Sequence, residues 1–493
     1  MVARHLSLWA VIALLCQGFL LRAAAAEGPV SPLMISGGTL YPVSGEPIED
    51  GVVIVRDGLI EAIGPASELA ISDLSANARC VDASGWTVIP GLVDCGSRFL
   101  LDSADATVFH AWHELRDALD GNHPFLSFVR REGVTTVGVF AETDGSVGGL
   151  GSVVKLKASS KAGSLSGLEL LRHEAFLLLA LGDLSDGRSS ETSARLSRYY
   201  ELRGALKSAR DYRRDWQRYR ENVEKYNQDL RKYKAALAEF EKIQKARTKE
   251  NEDGKKPKEG EKHPGQARDT DGEEKENKKK EGGGKKPLPP TADVPEKPQP
   301  PKRPSFNLDR EVLIKLLDGE IPAWVTAHRR DEIEYAIRIK REFELDLTLL
   351  GGTEAYSRSK ELVDAKIPVV LGPVLLRKRG LNFLHHRESN ALTLAEAGVP
   401  LSLAGLEAEG LEARHLRLQA AVALRGGLDH ARALEAITLE PARRLGVDAR
   451  VGSLEKGKDA DFVILDGDPL SATTRVLKVI IGGEIVYSNE NVF

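Results

Sequence analysis

The chain has 493 residues, of which 42% are hydrophobic, so it is long enough for two or three globular domains with full cores. It carries 69 Lys and Arg residues against 73 Asp and Glu residues, a formal net charge of −4. Because neither sign is in marked excess, the total charge argues against nucleic acid, or any strongly charged molecule, as a partner.

The N-terminal 26 residues have the pattern of a secretory signal peptide. A short basic start precedes a mostly apolar run over residues 6–21 and three alanines at 24–26. This order predicts cleavage before Glu27 and export to the periplasm or the extracellular space, with no transmembrane segment in the mature chain. The mature chain keeps Cys80 and Cys95, which could pair or remain as two free thiols.

Short strands separated by turn residues dominate both ends of the chain. Near the N terminus, Asp57-Gly58 joins two apolar runs, which is a strong hairpin signal. Near the C terminus, residues 462–465 form another short apolar run after a turn. The sequence therefore predicts one small β-sandwich built from residues 27–88 and 446–493.

Between these ends, short apolar runs alternate with helical patterns. Residues 323–327 and 369–371 are two such runs, and a helix is predicted over residues 111–132. Strands that alternate with helices are typical of parallel βα units, which close naturally into a barrel. We predict the barrel in two parts, residues 89–194 and 305–445.

Residues 195–247 form an insert with a heptad repeat. Apolar residues recur at the a and d positions of four heptads, flanked by charged residues. The a positions are Trp216, Val223, Leu230 and Leu237, and the d positions are Tyr219, Tyr226, Tyr233 and Phe240. The repeat predicts a long amphipathic helix. It either forms a coiled coil, with a second copy or another partner, or lies on its own barrel.

Residues 248–304 have a composition that cannot supply a core. They are rich in Lys, Glu, Gly and Asp, and they end in a proline-rich stretch with almost no large apolar residues. This composition predicts a disordered linker with a stiffer proline-rich end.

Four motifs carry a family resemblance. They are Val-Ile-Pro-Gly-Leu-Val-Asp at 88–94, Gly-Val-Thr-Thr-Val at 133–137, Pro-Ala-Arg-Arg-Leu-Gly at 441–446 and Gly-Lys-Asp-Ala-Asp-Phe-Val-Ile-Leu at 457–465. Together they resemble the amidohydrolase superfamily, most closely its imidazolonepropionase-like branch, over residues 33–180 and 307–490. The resemblance implies an α/β fold, a TIM-like (β/α)8 barrel with a small β-sandwich, and hydrolysis of non-peptide carbon–nitrogen bonds by a metal-bound hydroxide.

The resemblance also implies a set of metal ligands. These are two His at i and i+2 after the first barrel strand, one His after each of strands five and six, and an Asp after strand eight. The corresponding positions here are Gly96, Arg98, His328, residues 350–352 and Leu406. Of these side chains only His328 is a metal ligand, so we predict a degenerate site that binds zinc or another divalent metal only if it has been rebuilt around His328.

Arg98 suggests a different use for the barrel mouth. It remains cationic at any working pH and stands where the positive charge of a metal is expected. We therefore predict that Arg98 binds a carboxylate or another anion, although pairing with a neighbouring Asp or Glu fits the sequence equally well.

Several other polar side chains have both a functional and a structural interpretation. They are His110 and His113 beside Glu114 on one face of the predicted helix, His385 and His386 in an arginine-rich loop, Lys155 at a strand end, and Asp459 with Asp461 in a turn. The first group could bind a metal and the second an anion, while Lys155 resembles the metal-bridging lysine of some superfamily members. A solvated or packing role is the simpler interpretation for each.

Three functions fit these observations. The first is an exported hydrolase of the amidohydrolase type with a rebuilt site. The second is a non-catalytic barrel that binds a small, possibly anionic ligand. The third is an interaction protein that acts through the heptad helix.

Overall fold

The computed structural model describes residues 32–69, 78–101, 110–141, 143–157, 168–182, 192–253, 296–375, 381–406 and 413–489. The predicted signal peptide and residues 254–295 of the predicted linker lie outside these ranges. The chain divides into two compact units, Met1–Arg210 with Asn307–Phe493, and Asp211–Phe306. Each unit is described by itself.

One sheet of the first unit is built from both ends of the chain, as predicted. Its strands are β1 (Leu33–Leu40), β2 (Ile48–Arg56), β3 (Leu59–Pro65), β4 (Arg79–Asp82), β5 (Thr87–Pro90), β14 (Phe462–Leu465), β15 (Val476–Ile481) and β16 (Glu484–Ser488). The order is β16-β15-β14-β5-β1-β2-β3, with β4 paired to β1. Strand β14 pairs antiparallel with β5, Phe462 opposite Pro90, and so joins the C-terminal strands to the N-terminal ones.

The other sheet of the first unit is the barrel. Its strands are β6 (Leu92–Ser97), β7 (Val134–Val139), β8 (Val147–Lys155), β9 (Glu169–Ala180), β10 (Ala323–Ala327), β11 (Leu347–Gly351), β12 (Val369–Leu371) and β13 (Leu401–Leu403). They follow one another in chain order around the sheet. The two edge strands of this sheet are β6 and β13. The N–H of Leu406, which follows β13, donates to the carbonyl of Gly96 in β6 at 3.1 Å and so connects the two edges. The predicted TIM-like barrel with a sheet from both termini is confirmed.

Helices cover the outside of this barrel. They are α1 (Leu126–Arg131), α3 (Leu308–Leu317), α4 (Arg330–Phe343), α5 (Ser359–Asp364), α6 (Asn390–Ala397), α7 (Leu416–Arg425), α8 (His430–Glu435) and α9 (Leu439–Leu445), and α2 (Thr192–Asp253) belongs to the insert. Side chains alternate along each strand, so Trp324 of β10 packs in the barrel interior while Val325 packs in the outer core. Cys95 is buried inside the barrel and Cys80 is exposed, and both are free thiols.

Two details differ from the sequence expectations. Strand β8 runs antiparallel to both β7 and β9, because it forms a hairpin with β9 instead of a βα unit. The predicted helix over 111–132 is wrong, since this stretch holds only a 3₁₀ turn at Leu115–Ala118 and the short α1. Gly121 and Pro124 lie between them, and a proline inside a helix removes a backbone hydrogen bond.

The insert begins on the barrel. In the first unit, Leu202, Leu206 and Ala209 of α2 are fully buried. The Tyr199 ring stacks on Tyr335 of α4 with centroids 4.5 Å apart. The α2 helix runs on to Asp253 instead of ending at 247. No helix in the described ranges is long and apolar enough to cross a membrane.

The second unit contains the heptad residues of α2 and the residues 296–306 that precede α3. Residues 296–306 have no regular secondary structure. The Arg303 guanidinium lies over the Trp216 ring, 5.4 Å from its centroid. The heptad residues from Val223 to Phe240 are only half-buried.

Candidate functional site

At Gly96 and Leu406, two of the positions where the family resemblance implies metal ligands, the structure places hydrocarbon. A Cβ placed on Gly96 would overlap Leu406 Cδ2 and lie 3.0 Å from the Ala404 Cβ. Leu406 is 1% exposed, and its φ of 57° is unusual for a residue other than glycine. The Leu406 side chain therefore fills the space above Gly96, the first of the implied ligand positions.

The barrel interior around Leu406 is also apolar. Leu350, Val370 and Ala404 belong to the same buried cluster. In that cluster the Trp324 ring stacks on Phe176, with centroids 4.1 Å apart and an interplanar angle of 13°. Such close packing resists the entry of polar groups, because a buried polar group without partners is strongly unfavourable.

His328 follows β10 and is completely buried. Its Nδ1 lies 2.7 Å from Thr353 Oγ1, and its ring meets Phe383 edge-on at a centroid distance of 5.1 Å. Gly351 makes room for the ring, since a Cβ there would be 2.7 Å from His328 Cε1. Thr353, Phe383 and Gly351 thus hold the imidazole in one orientation.

Arg98 and Asp94 flank Gly96 on and after β6. Arg98 is 7% exposed. Asp94 is fully buried, its Oδ1 accepts the Gly96 N–H at 3.1 Å, and burial raises its pKa to about 6. The carboxylate fixes the end of the strand. Anion binding by Arg98 stays a prediction.

Comparison with known proteins places this barrel in a family. A family model described as "Amidohydrolase family" matches residues 394–486. The crystal structure of an amidohydrolase from Thermotoga maritima MSB8 aligns with a TM-score of 0.65 at 25% identity, covering 93% of this chain and 100% of that one. The chain belongs to the amidohydrolase superfamily.

Two curated superfamily relatives match short segments. Amidohydrolase tasK of Hapsidospora irregularis is 40% identical over 73 residues, which is 15% of this chain and 7% of that protein. Imidazolonepropionase of Rhizobium rhizogenes is 35% identical over 72 residues, or 14% of this chain and 17% of that protein. The chain thus spans less than a fifth of the length of these two relatives.

The residues at the superfamily's metal position do not fit a metal ion. Gly96 has no donor atom, Leu406 offers only methyl groups, and Arg98 is a cation. The structure describes all of the implied ligand positions. Among them, His328 is the one residue whose side chain commonly binds metal ions. In the described ranges no group of three or more His, Cys, Asp or Glu side chains could hold a metal.

The structure does not place His110 and His113 on a helix face, and the anion-binding cluster around His385 and His386 stays a prediction. Residues 110–113 form a turn and not a helix, with the His113 N–H donating to the His110 carbonyl at 3.0 Å. The His110 ring faces Asp309 at 3.4 Å. In the second group, burial lowers the pKa of His386, and the Arg387 guanidinium lies over the Tyr356 ring at 4.3 Å. Residues 377–379 of that loop lie outside the described ranges.

Lys155 forms ion pairs with two buried carboxylates, which was not predicted from the sequence. It is 1% exposed, donates to a carboxylate oxygen of Asp459, and lies 3.0 Å from Asp461 Oδ2. Arg450 also binds Asp459, at 2.7 Å. Burial alone would lower the pKa of Lys155, but the two carboxylates outweigh it and the pKa is raised. This buried ion cluster connects strand β8 of the barrel with the turn before β14. The ion pairs account for the burial of Lys155 without a bound metal.

Glu332 is a buried carboxylate that sequence reasoning missed. Its Oε2 accepts the N–H groups of His328 at 2.8 Å and of Arg329 at 3.1 Å. Gly182 leaves room for it, since a Cβ there would be 2.8 Å from Glu332 Cδ. Burial raises the pKa of Glu332 to about 7. The carboxyl group therefore holds the end of β10 in place and is protonated in part at neutral pH.

Glu332→Gln is expected to flatten the dependence of stability on pH. The folded pKa lies above the ordinary value of 4.5, so the folded protein binds more protons, and the free energy of unfolding falls as pH rises from 4.5 to about 7. The decline attributable to this group is about 3 kcal/mol. Gln can still accept both N–H bonds. Urea unfolding at several pH values should show the decline in wild type and a smaller one in the variant. Equal slopes would contradict the assignment.

Gly96→Ala is expected to destabilise the fold by about 1–3 kcal/mol, because the added methyl overlaps Leu406. Shortening Leu406 to Ala in the same chain should make the Gly96→Ala change much less harmful, which a double-mutant cycle measures. Gly45→Ala is the control, since nothing lies within 4 Å of a Cβ there. Additive effects of the two substitutions would show that the contact is unimportant.

Proposed function

We propose that this chain is an exported, non-catalytic member of the amidohydrolase superfamily and acts as a binding protein through its helical insert. The observation that carries the proposal is the Leu406 side chain, which occupies the space above Gly96. A metal-bound hydroxide requires several ligands around an open coordination position. Gly96 and Leu406 provide no ligand atoms, and Arg98 adds a positive charge that would repel a metal ion. The Leu406 side chain also fills the space in which a coordinated water would have to lie.

In this proposal, helix α2 of the insert is the part of the chain that binds a partner. Its first turns are fixed to the barrel by ion pairs from Arg195 to Asp331 at 3.1 Å and from Arg203 to Glu342 at 2.7 Å. Arg210 adds a cation–π contact with Phe343 at 4.5 Å. These contacts hold the first turns of α2, up to Arg210, against the barrel. The later heptads of α2 carry partly exposed apolar side chains.

The comparison of thermal stability with and without zinc tests this proposal. A ligand that binds only the folded state raises the unfolding temperature, and the rise grows with the logarithm of the ligand concentration divided by its Kd. We expect no zinc-dependent rise for wild type and none for His328→Ala. A rise in wild type that His328→Ala abolishes, together with hydrolytic turnover, would contradict the proposal and support a site rebuilt around His328.

Export has its own test. The N-terminal sequence of the secreted protein is expected to begin at Glu27. Retention of the whole chain inside the cell would contradict export and leave the proposal for the barrel unchanged.

A further inference from the structure

The second unit presents a row of large apolar side chains on one side of α2, here called the heptad stripe. The stripe consists of Val223, Tyr226, Leu230, Tyr233, Leu237 and Phe240. Each is half-buried, while the residues next to each in sequence are mostly exposed. A helix with an a/d stripe of this kind is stable in water only when the stripe is covered.

The first heptad is already partly covered by the chain itself. Arg303 lies over Trp216, and Tyr219 lines a groove with residues 302–305. None of the six stripe residues lines that groove. The stripe that needs a partner therefore begins at Val223.

We propose that the heptad stripe is the seam of a parallel, in-register coiled coil with a second copy of this chain. This inference rests on the proposed role of α2 in binding, and it names the partner. It does not depend on whether the barrel holds a metal.

The charges beside the stripe favour a second copy as the partner. The g positions are Asp215, Asn222, Asp229 and Ala236, and the e positions are Arg220, Asn227, Lys234 and Glu241. In a parallel pair each g residue faces the e residue of the next heptad, five positions on, in the other helix. Asp229 then faces Lys234, and Asp215 faces Arg220. The remaining pairs are Asn with Asn and Ala with Glu, so no like charges meet.

The antiparallel arrangement that overlaps the same four heptads is disfavoured. There g residues face g residues and e residues face e residues. Asp229 would meet Asp229 of the second copy, and Arg220 would meet Lys234. Like charges across a seam are unfavourable and select the other orientation.

The mass of the purified full-length chain in solution, measured by sedimentation at several concentrations, is the primary test. We expect two chains per particle. Leu230→Lys places a charge in the seam and should weaken association roughly 100-fold or more. Gln228→Lys adds the same charge at an exposed f position and should have little effect. A wild-type monomer, or a dimer unchanged by Leu230→Lys, would overturn the proposal.

Charge exchange at Asp229 and Lys234 tests the orientation. These two residues are five apart and do not face each other within one helix. Asp229→Lys and Lys234→Glu should each weaken self-association roughly three- to tenfold, whereas a mixture of the two variants should associate like wild type. An antiparallel pair would instead be strengthened by Lys234→Glu, which would then face Arg220, and this result would overturn the parallel seam.

The helix content of each variant, followed by circular dichroism, checks that α2 remains folded. Failure of this inference is distinct from failure of the proposed function. A monomer that takes up no zinc would refute the seam alone, and a dimer with zinc-dependent turnover would refute the non-catalytic barrel alone.

Discussion

Replacing Lys155 by Met is expected to lower the free energy of unfolding by about 3–5 kcal/mol. Lys155 is 1% exposed and binds two carboxylates, Asp459 and Asp461, which are 6% and 4% exposed. Without the ammonium group two buried acids would face each other, with Arg450 still bound to Asp459 but no longer Lys155. Removing one partner of a buried ion pair leaves an uncompensated charge, which is far more costly than losing a surface pair.

Lys157→Met is the matched control for Lys155→Met. Lys157 lies two residues further on and pairs with Glu484 at 3.1 Å, but Glu484 is 64% exposed. Exposed pairs contribute about 0–1 kcal/mol, so the control should unfold at nearly the wild-type urea concentration. Equal losses in the two variants would show that the cluster of Lys155 has no special role.

Leu406→Asp, which introduces the residue type that the family resemblance implies at this position, is expected to cost about 3–5 kcal/mol. The new carboxylate would replace the Leu406 methyl groups that pack against Gly96, Ala404 and Leu350, and so would be buried next to hydrocarbon. Zinc should not recover the loss, because Gly96 supplies no second ligand. Urea unfolding with and without zinc measures both effects.

Leu406→Asn separates charge from shape in this experiment. Asn has nearly the size of Asp and no charge, so it should lose the packing of Leu406 but not suffer the penalty of a buried anion. The difference between the Asn and Asp variants gives the cost of the charge. An Asp variant as stable as wild type, or one that zinc restores, would contradict the apolar filling of the barrel mouth.

Several strands could be predicted to the residue because their apolar runs are short and bounded by turn residues. β10 at Ala323–Ala327 and β14 at Phe462–Leu465 are examples. The predicted helix over 111–132 is wrong because Gly121 and Pro124 interrupt the stretch, and both residues disfavour a helix interior. The antiparallel direction of β8 depends on its hairpin with β9, which period-two patterning alone does not reveal.

The sequence was sufficient to predict which residues stand at the implied ligand positions, but not which residues contact one another there. The motif positions pointed to Gly96 and Leu406 separately, but only the fold shows that one fills the space beside the other. Lys155 and Asp459 were also considered apart, since 304 positions separate them. Glu332 was missed because a glutamate in the first turn of a helix is usually solvated.

The metal content of the purified mature protein, determined by elemental analysis without chelators or an affinity tag, tests the central claim most directly. The filling of the Gly96 position by Leu406 leads us to expect no zinc, iron or manganese in stoichiometric amount, before or after incubation with each metal. One tightly bound ion per chain would contradict a non-catalytic barrel, and would direct attention to His328 as its ligand.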